Sequence, residues 1–299
     1  HNNLGNVFKD LNQFNDAIKS YQKAIVINPN FAVAHNNLGN VFKDLNQFND
    51  AIESYQKAIV INPNFAEAYF NQGIVLRSLR KIADSVKSFE NALEVKPNYA
   101  EAHNNLGVNL SELGQTLEAV KCYEKAISID PEYAYAYNNL GNVFKDLGKR
   151  KAAANCYEKA ISIKPDYAIA YSNLGNVLRN LKERDKALVC FEHAYQIMPD
   201  MDFILGDLLN TKMHLCLWDD LSTQIKELKG QINNNKKVIA PFNLLGLLDD
   251  PEVNKKNTKI YINEKYPKND VLPKIGLYPK HPKIRIGYFS ADFKLHPVA

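Results

Sequence analysis

Asn3, Asn37, Asn71, Asn105, Asn139 and Asn173 follow one another at steps of 34 residues, and Asp207 takes the next place in that register. A carboxamide offers donors and an acceptor together. A row of amides at fixed spacing therefore matches another regular array of donors and acceptors, the main chain of an extended peptide, whatever side chains that peptide carries. Asn is a mediocre residue inside a helix. Asn71 nevertheless keeps its place where its neighbours have become Phe70, Gln72 and Ile74. The competing reading is that these amides are solvated or bond to one another within the scaffold. Asn6, Asn40, Asn142 and Asn176 lie three residues on, near the same face, with Ile74 and Val108 interrupting them. Lys9, Lys43, Arg77, Lys145 and Arg179 lie six residues on, as a basic edge or a solvated helix surface.

Other reactive side chains carry less. Cys122, Cys156 and Cys190 share one register, with Ser20, Ser54 and Ser88 before them. Equivalent positions in stacked helices stand about 8–10 Å apart, beyond disulfide reach. The thiols read as small, partly buried residues of a reducing, cytoplasmic compartment, and no metal-ligand spacing is present. His35 and His103 alternate with Tyr69, Tyr137 and Tyr171 in one register, which reads as packing.

The chain of 299 residues is 45% hydrophobic and 23% charged, enough apolar material for a sizeable core, and its net charge is +4. That charge is too mild to argue for nucleic acid or an anionic membrane, and no run approaches the roughly 18 apolar residues of a membrane span. No signal peptide is evident. The chain begins at His1, and further residues are expected before it.

These side chains need elements to hold them. Gly recurs at Gly5, Gly39, Gly73, Gly107, Gly141 and Gly175, and Pro at Pro29, Pro63, Pro97, Pro131, Pro165 and Pro199. Residues 1–34 and 35–68 differ only at Lys19/Glu53 and Val33/Glu67, as after a duplication. Apolar spacing over Ala34–Leu45 and again over Asp50–Ile61 predicts two helices per cycle. Asn12, Asn46, Gly114 and Gly148 suit a left-handed turn between them. The Pro ends the second helix, and Asn30, Asn64, Asn98 and Asp166 are candidate N-caps for the next. The glycines, and the alanines Ala24, Ala58, Ala92, Ala126, Ala160 and Ala194, allow close helix approach, and Tyr21, Tyr55, Phe89, Tyr123, Tyr157 and Phe191 fill the gap. Ser85 is the one exception in the small register of Ala17.

This Leu–Gly–aromatic–Ala–aromatic–Ala–Pro pattern resembles the tetratricopeptide repeat over residues 1–201, with the first repeat incomplete. The expected fold class is all-α, a right-handed superhelix whose first helices line a concave surface. Residues 202–235 read as a degenerate capping pair: Leu209, Leu221 and Leu228 replace the small residues, and Asp219 or Asp220 is the N-cap candidate. Residues 236–266 read as linker helices and 267–282 as a Pro- and Lys-rich linker. Residues 1–235 are expected to fold without the C-terminal tail.

The amide ladder and the wording "NNLGNVFKDLG" around Asn139 resemble the superhelix of protein O-linked N-acetylglucosamine transferases. Chaperone-adaptor repeats usually present a lysine where Asn36 and Asn138 stand, which weakens a carboxylate-clamp reading. In residues 283–299, Ile284, Ile286 and Tyr288 predict a buried strand. Ser290, Asp292, Phe293 and His296–Pro297 then resemble the first strand and loop of the transferase's catalytic region, in bacterial-type members above all. The resemblance implies that His296 is the family's active-site histidine. It also implies a UDP-sugar donor and transfer to Ser or Thr of proteins with extended segments. A fucose-transferring, Spindly-like relative is the close variant. About one strand of the catalytic lobe is present, so the fragment is expected to be inactive and to carry no cofactor. The alternative is a non-enzymatic interaction scaffold.

Overall fold

Residues 1–265 are described by a computed structural model, and among them there are helices and turns but no strand. The strand expected at residues 283–299, with His296, lies outside the described residues. Helices α1 (Asn2–Asp10) and α2 (Phe14–Ile27) form the first pair, and α3 (Ala32–Asp44) and α4 (Phe48–Ile61) the second. The third is α5 (Ala66–Ser78) with α6 (Ile82–Val95), the fourth α7 (Ala100–Glu112) with α8 (Thr116–Ile129). The fifth is α9 (Ala134–Asp146) with α10 (Arg150–Ile163), the sixth α11 (Ala168–Asn180) with α12 (Arg184–Ile197).

Each pair closes on one contact. A Cβ placed on Gly5, Gly39, Gly73, Gly107, Gly141 or Gly175 would lie 2.5–2.8 Å from the ring of the aromatic in the second helix of its own pair. Those rings, Tyr21 to Phe191, are buried. The turn within each pair is left-handed at Asn12, Asn46, Gly114 and Gly148, as expected, and also at Arg80 and Lys182. A side chain with a Cβ is strained there, so the stacking on either side imposes the turn even where the residue is unsuited to it.

The expected N-caps are corrected. The capping position is held by Phe31, Phe65, Tyr99, Tyr133 and Tyr167, and none of these helices has a side-chain cap bond. The Asx oxygens that do act lie before the Pro: Asn28 Oδ1 accepts from Asn30 N–H at 3.2 Å, and Asn62 Oδ1 from Asn64 N–H at 3.1 Å. The aromatic gains burial at the entry to the helix, while the Asx turn orders the loop before it.

Among the described residues successive first helices of the six pairs touch each other as well as their own partners, whereas each second helix packs on the first helices of its own pair and the next. The first helices therefore line the inner side of the curve. The stack ends in α13 (Ile204–His214), α14 (Leu221–Asn233), α15 (Pro241–Leu245) and α16 (Pro251–Lys265). Leu209 and Leu228 are fully buried, and Leu221 packs at the edge of the same cluster. Asp220 occupies the N-cap of α14 without a side-chain bond. Leu205, Leu209, Leu228 and Ile232 share one core with Val238, Ile239, Leu244 and Val253, so the boundary expected at residue 235 runs through a single apolar cluster. The main chain joins it too: Lys237 O accepts from Phe203 N–H at 2.7 Å, and Val238 O from Gly206 N–H at 3.0 Å. A Cβ on Gly206 would sit 2.6 Å from Val238 O, so this glycine admits the crossing segment.

Candidate functional site

Residues at helix positions i, i+4 and i+7 share a face. Glu101, Asn105 and Val108 on α7, or Tyr135, Asn139 and Asn142 on α9, are such stripes. The ladder amides from Asn37 to Asn173 are half-buried, and Asn3 stands exposed at the open end.

The amides are wired to one another. Asn71 Nδ2 donates to Asn36 Oδ1 at 3.1 Å, Asn139 Nδ2 to Asn104 Oδ1 at 3.0 Å, and Asn173 Nδ2 to Asn138 Oδ1 at 3.0 Å. Asn37 Nδ2 reaches Asn2 Oδ1 at 3.3 Å and Asn6 Oδ1 at 3.2 Å. Each bond runs from one helix pair to the pair before it. Asn105 is different. The acceptor position before it is Phe70, which has none to offer, and Asn105 Nδ2 turns back to Glu101 O at 2.8 Å. Among the described residues no donor reaches Oδ1 of Asn71, Asn105 or Asn173. At Asn71, Asn105 and Asn173 the scaffold thus takes one donor and leaves the acceptor oxygen without a partner, whereas Asn139 Oδ1 accepts from Asn138 Nδ2 at 3.4 Å.

The second amide row has its own anchor. Tyr21 Oη donates to Asn6 Oδ1 at 2.7 Å, and Tyr55 and Tyr157 donate to Asn40 and Asn142 at 2.8 Å. Where the aromatic is Phe89, the matching residue is Ile74, so no unpartnered hydroxyl or amide is buried there. Burial, with Asp44 adding to it, raises the Tyr55 hydroxyl pKa, which keeps it a donor. The cations six residues on from the ladder are only partly available as a basic edge. Lys9 lies 3.5 Å from Asp44, and Arg179 is held by Asp207 at 2.8 Å and by Asn176 Oδ1 at 2.6 Å. Arg77 has no carboxylate partner among the described residues. Asp207 thus ends the ladder in an ion pair rather than as one more rung.

Burial pushes the thiols of Cys122, Cys156 and Cys190 up to about 11, so they are protonated and inert near neutral pH. Among the described residues no helix is long and apolar enough to cross a membrane. His296 lies outside the described residues.

Sequence reasoning missed one buried polar pair. Ser85 Oγ donates to Gly73 O at 2.7 Å and accepts from Asn109 Nδ2 at 2.8 Å. Both side chains are fully buried, and Asn109 Oδ1 has no partner. The other helix pairs carry Ala and Val in these two registers, for example Ala51 with Val75. That paired departure was the available signal.

Family profiles described as TPR repeat match residues 5–45, 39–79, 109–148 and 141–182, and those described as tetratricopeptide repeat match 66–99 and 168–201. No curated protein matches the chain. Among solved structures it is similar to MamA, at 29% identity over 55% of this chain and 96% of that one, with a TM-score of 0.50. It is similar in fold to YrrB, described as a TPR protein with an unusual peptide-binding site, at 24% identity over 62% and 95%, TM-score 0.51. PilF of Pseudomonas aeruginosa shares the fold at 20% identity over 66% and 90%, TM-score 0.61. With helix pairs stacked in one register on glycine–aromatic contacts, and profiles matching most of residues 5–201, this chain belongs to the tetratricopeptide-repeat family.

Proposed function

We propose that the chain is a protein-interaction scaffold whose concave face grips an extended segment of a partner by its main chain. The observation that carries this is the series of amide oxygens without a donor at Asn71, Asn105 and Asn173, each on a half-buried carboxamide fixed by a bond through its opposite end. A peptide main chain supplies N–H donors at regular spacing and needs no particular sequence to do so.

Asn105 separates binding from bracing, because its bond stays within its own helix. Asn105→Ala should weaken binding of a fluorescein-labelled Ser/Thr-rich peptide about three- to tenfold, the worth of one hydrogen bond, with the melting temperature unchanged. Asn139→Ala and Asn173→Ala should weaken binding and also lower melting. Wild-type affinity in Asn105→Ala would sink the proposal and leave the amides as scaffold bracing alone.

A second reading rests on Ser290, Asp292, Phe293 and His296–Pro297: the repeats are then the acceptor-recruiting arm of a protein O-glycosyltransferase using a UDP-sugar. The neighbours MamA, YrrB and PilF are tetratricopeptide proteins and lend it no support. Its test is transfer of N-acetylglucosamine or fucose from the nucleotide sugar to a Ser/Thr peptide by the product of the whole reading frame. His296→Ala should abolish the transfer. Absence of transfer by the unaltered protein would reject this reading.

A further inference from the structure

A three-part arrangement recurs from one helix pair to another. It joins the second residue of a first helix, the residue ending the second helix of that pair, and the aromatic that opens the next pair. In the third pair Lys96 Nζ lies 3.4 Å from Glu67 Oε1 and 4.3 Å from the centre of the Tyr99 ring. In the fifth pair Lys164 Nζ lies 2.8 Å from Tyr135 Oη, 4.9 Å from that ring's centre and 5.6 Å from that of Tyr167. Twice, then, the chain seats its own ammonium group between an oxygen and an aromatic face.

The fourth pair has the same frame without the cation. Glu101 holds the acceptor position and Tyr133 the aromatic one, but the residue between them is Asp130. Both carboxylates are exposed, and neither has a cationic partner among the described residues. Asp130 Oδ1 accepts only the local Glu132 N–H at 3.0 Å. Burial first, then the Glu101 carboxylate, push the Tyr133 hydroxyl up to about 12, with Tyr135 and Asp130 adding to it and a bond with Asn104 opposing it. The corresponding residues of the second pair are Val33, Asn62 and Phe65, and of the sixth Ile169, Met198 and Met201, so the negative frame is confined to one pair. Glu101 is also one turn from Asn105 on the same stripe, and its carbonyl accepts the Asn105 amide.

We propose that Glu101, Asp130 and Tyr133 form a subsite for a Lys or Arg side chain of the bound segment, the ammonium or guanidinium taking the place that Lys96 and Lys164 fill in the flanking pairs. This rests on the groove binding an extended peptide. It adds a side-chain preference to contacts that are otherwise indifferent to sequence: a cation beside the rung at Asn105.

The probe is a labelled Ser/Thr/Gly peptide with one central Arg, compared with the same peptide carrying citrulline or Glu there. The Arg peptide should bind about tenfold tighter than the citrulline peptide at low salt, the joint effect of an exposed ion pair and a cation–π contact. That preference should shrink at high salt. Asp130→Lys installs the residue the neighbouring pairs already tolerate. It should erase the preference while leaving the citrulline peptide's affinity and the melting temperature unchanged, and Glu101→Gln should reduce it. Equal affinity of the wild type for Arg and citrulline peptides would overturn the subsite and leave the groove reading standing. Failure of all three peptides to bind would overturn both.

Discussion

Asn109 is a polar side chain with one end satisfied and the other buried without a partner, and Ser85 is what satisfies it. Removing Ser85 Oγ strands both ends of the amide, whereas replacing Asn109 leaves Ser85 still bonded to Gly73 O. Ser85→Ala should therefore cost about 1–3 kcal/mol, while Asn109→Val, alone or with Ser85→Ala, should be neutral or stabilising. Chemical denaturation of the four proteins checks this, and equal losses in both single variants would contradict it. His103 gives a pH dependence. Burial lowers its pKa, against the raising effect of its bond with Pro97 O at 2.9 Å. The folded state therefore binds the proton less readily than the unfolded chain. This part of the stability is present above the ordinary histidine pKa of about 6.5 and is lost as pH falls through the lowered folded value. His103→Tyr, the residue type of Tyr137 and Tyr171, should flatten the melting temperature between neutral and mildly acidic pH. The ladder was legible because register is visible in a sequence. Its wiring was not, since whether Asn105 bonds across or back depends on Phe70 lying next to it in space.

At the scale of the helix, two packed contacts decide most of the fold. Gly141→Ala would drive a Cβ to 2.7 Å from Tyr157 Cε1, so overpacking of about 1–3 kcal/mol is expected. Arg80 and Lys182 adopt the left-handed turn that Gly114 and Gly148 fill without strain. Arg80→Gly should stabilise by about 0.5–1 kcal/mol, and a lower melting temperature in that variant would show that Arg80 contributes something its turn conceals. The repeat pairs were readable from periodicity alone, because each buries a stripe at helical spacing against its neighbour. The C-terminal boundary was not readable. Val238 and Ile239 carry no periodic signal, and only their contact with Leu205, Leu209 and Leu228 shows that they belong to the cap. Ending the chain after Asn235 should accordingly unfold α13 and α14 in a separate, lower thermal transition. A single transition at the original temperature would show that the cap does not need them.

Among the described residues each helix pair packs on its neighbours in the stack, so stability accumulates pair by pair. The first two pairs have almost the same wording, and nothing in their shared interface distinguishes one from the other. Ser85 and Asn109 differ from this, because Asn109 is tolerable only opposite Ser85. In a gene built of tandem copies, unequal crossing-over adds or removes whole units. An exchange among the first pairs yields another foldable protein, shorter or longer by one unit. An exchange that leaves Asn109 opposite an alanine in place of Ser85 yields a chain with a stranded amide in its core, which selection discards. The array is thereby free to change length among its first pairs, while the third and fourth pairs, and Glu101 with them, are inherited together.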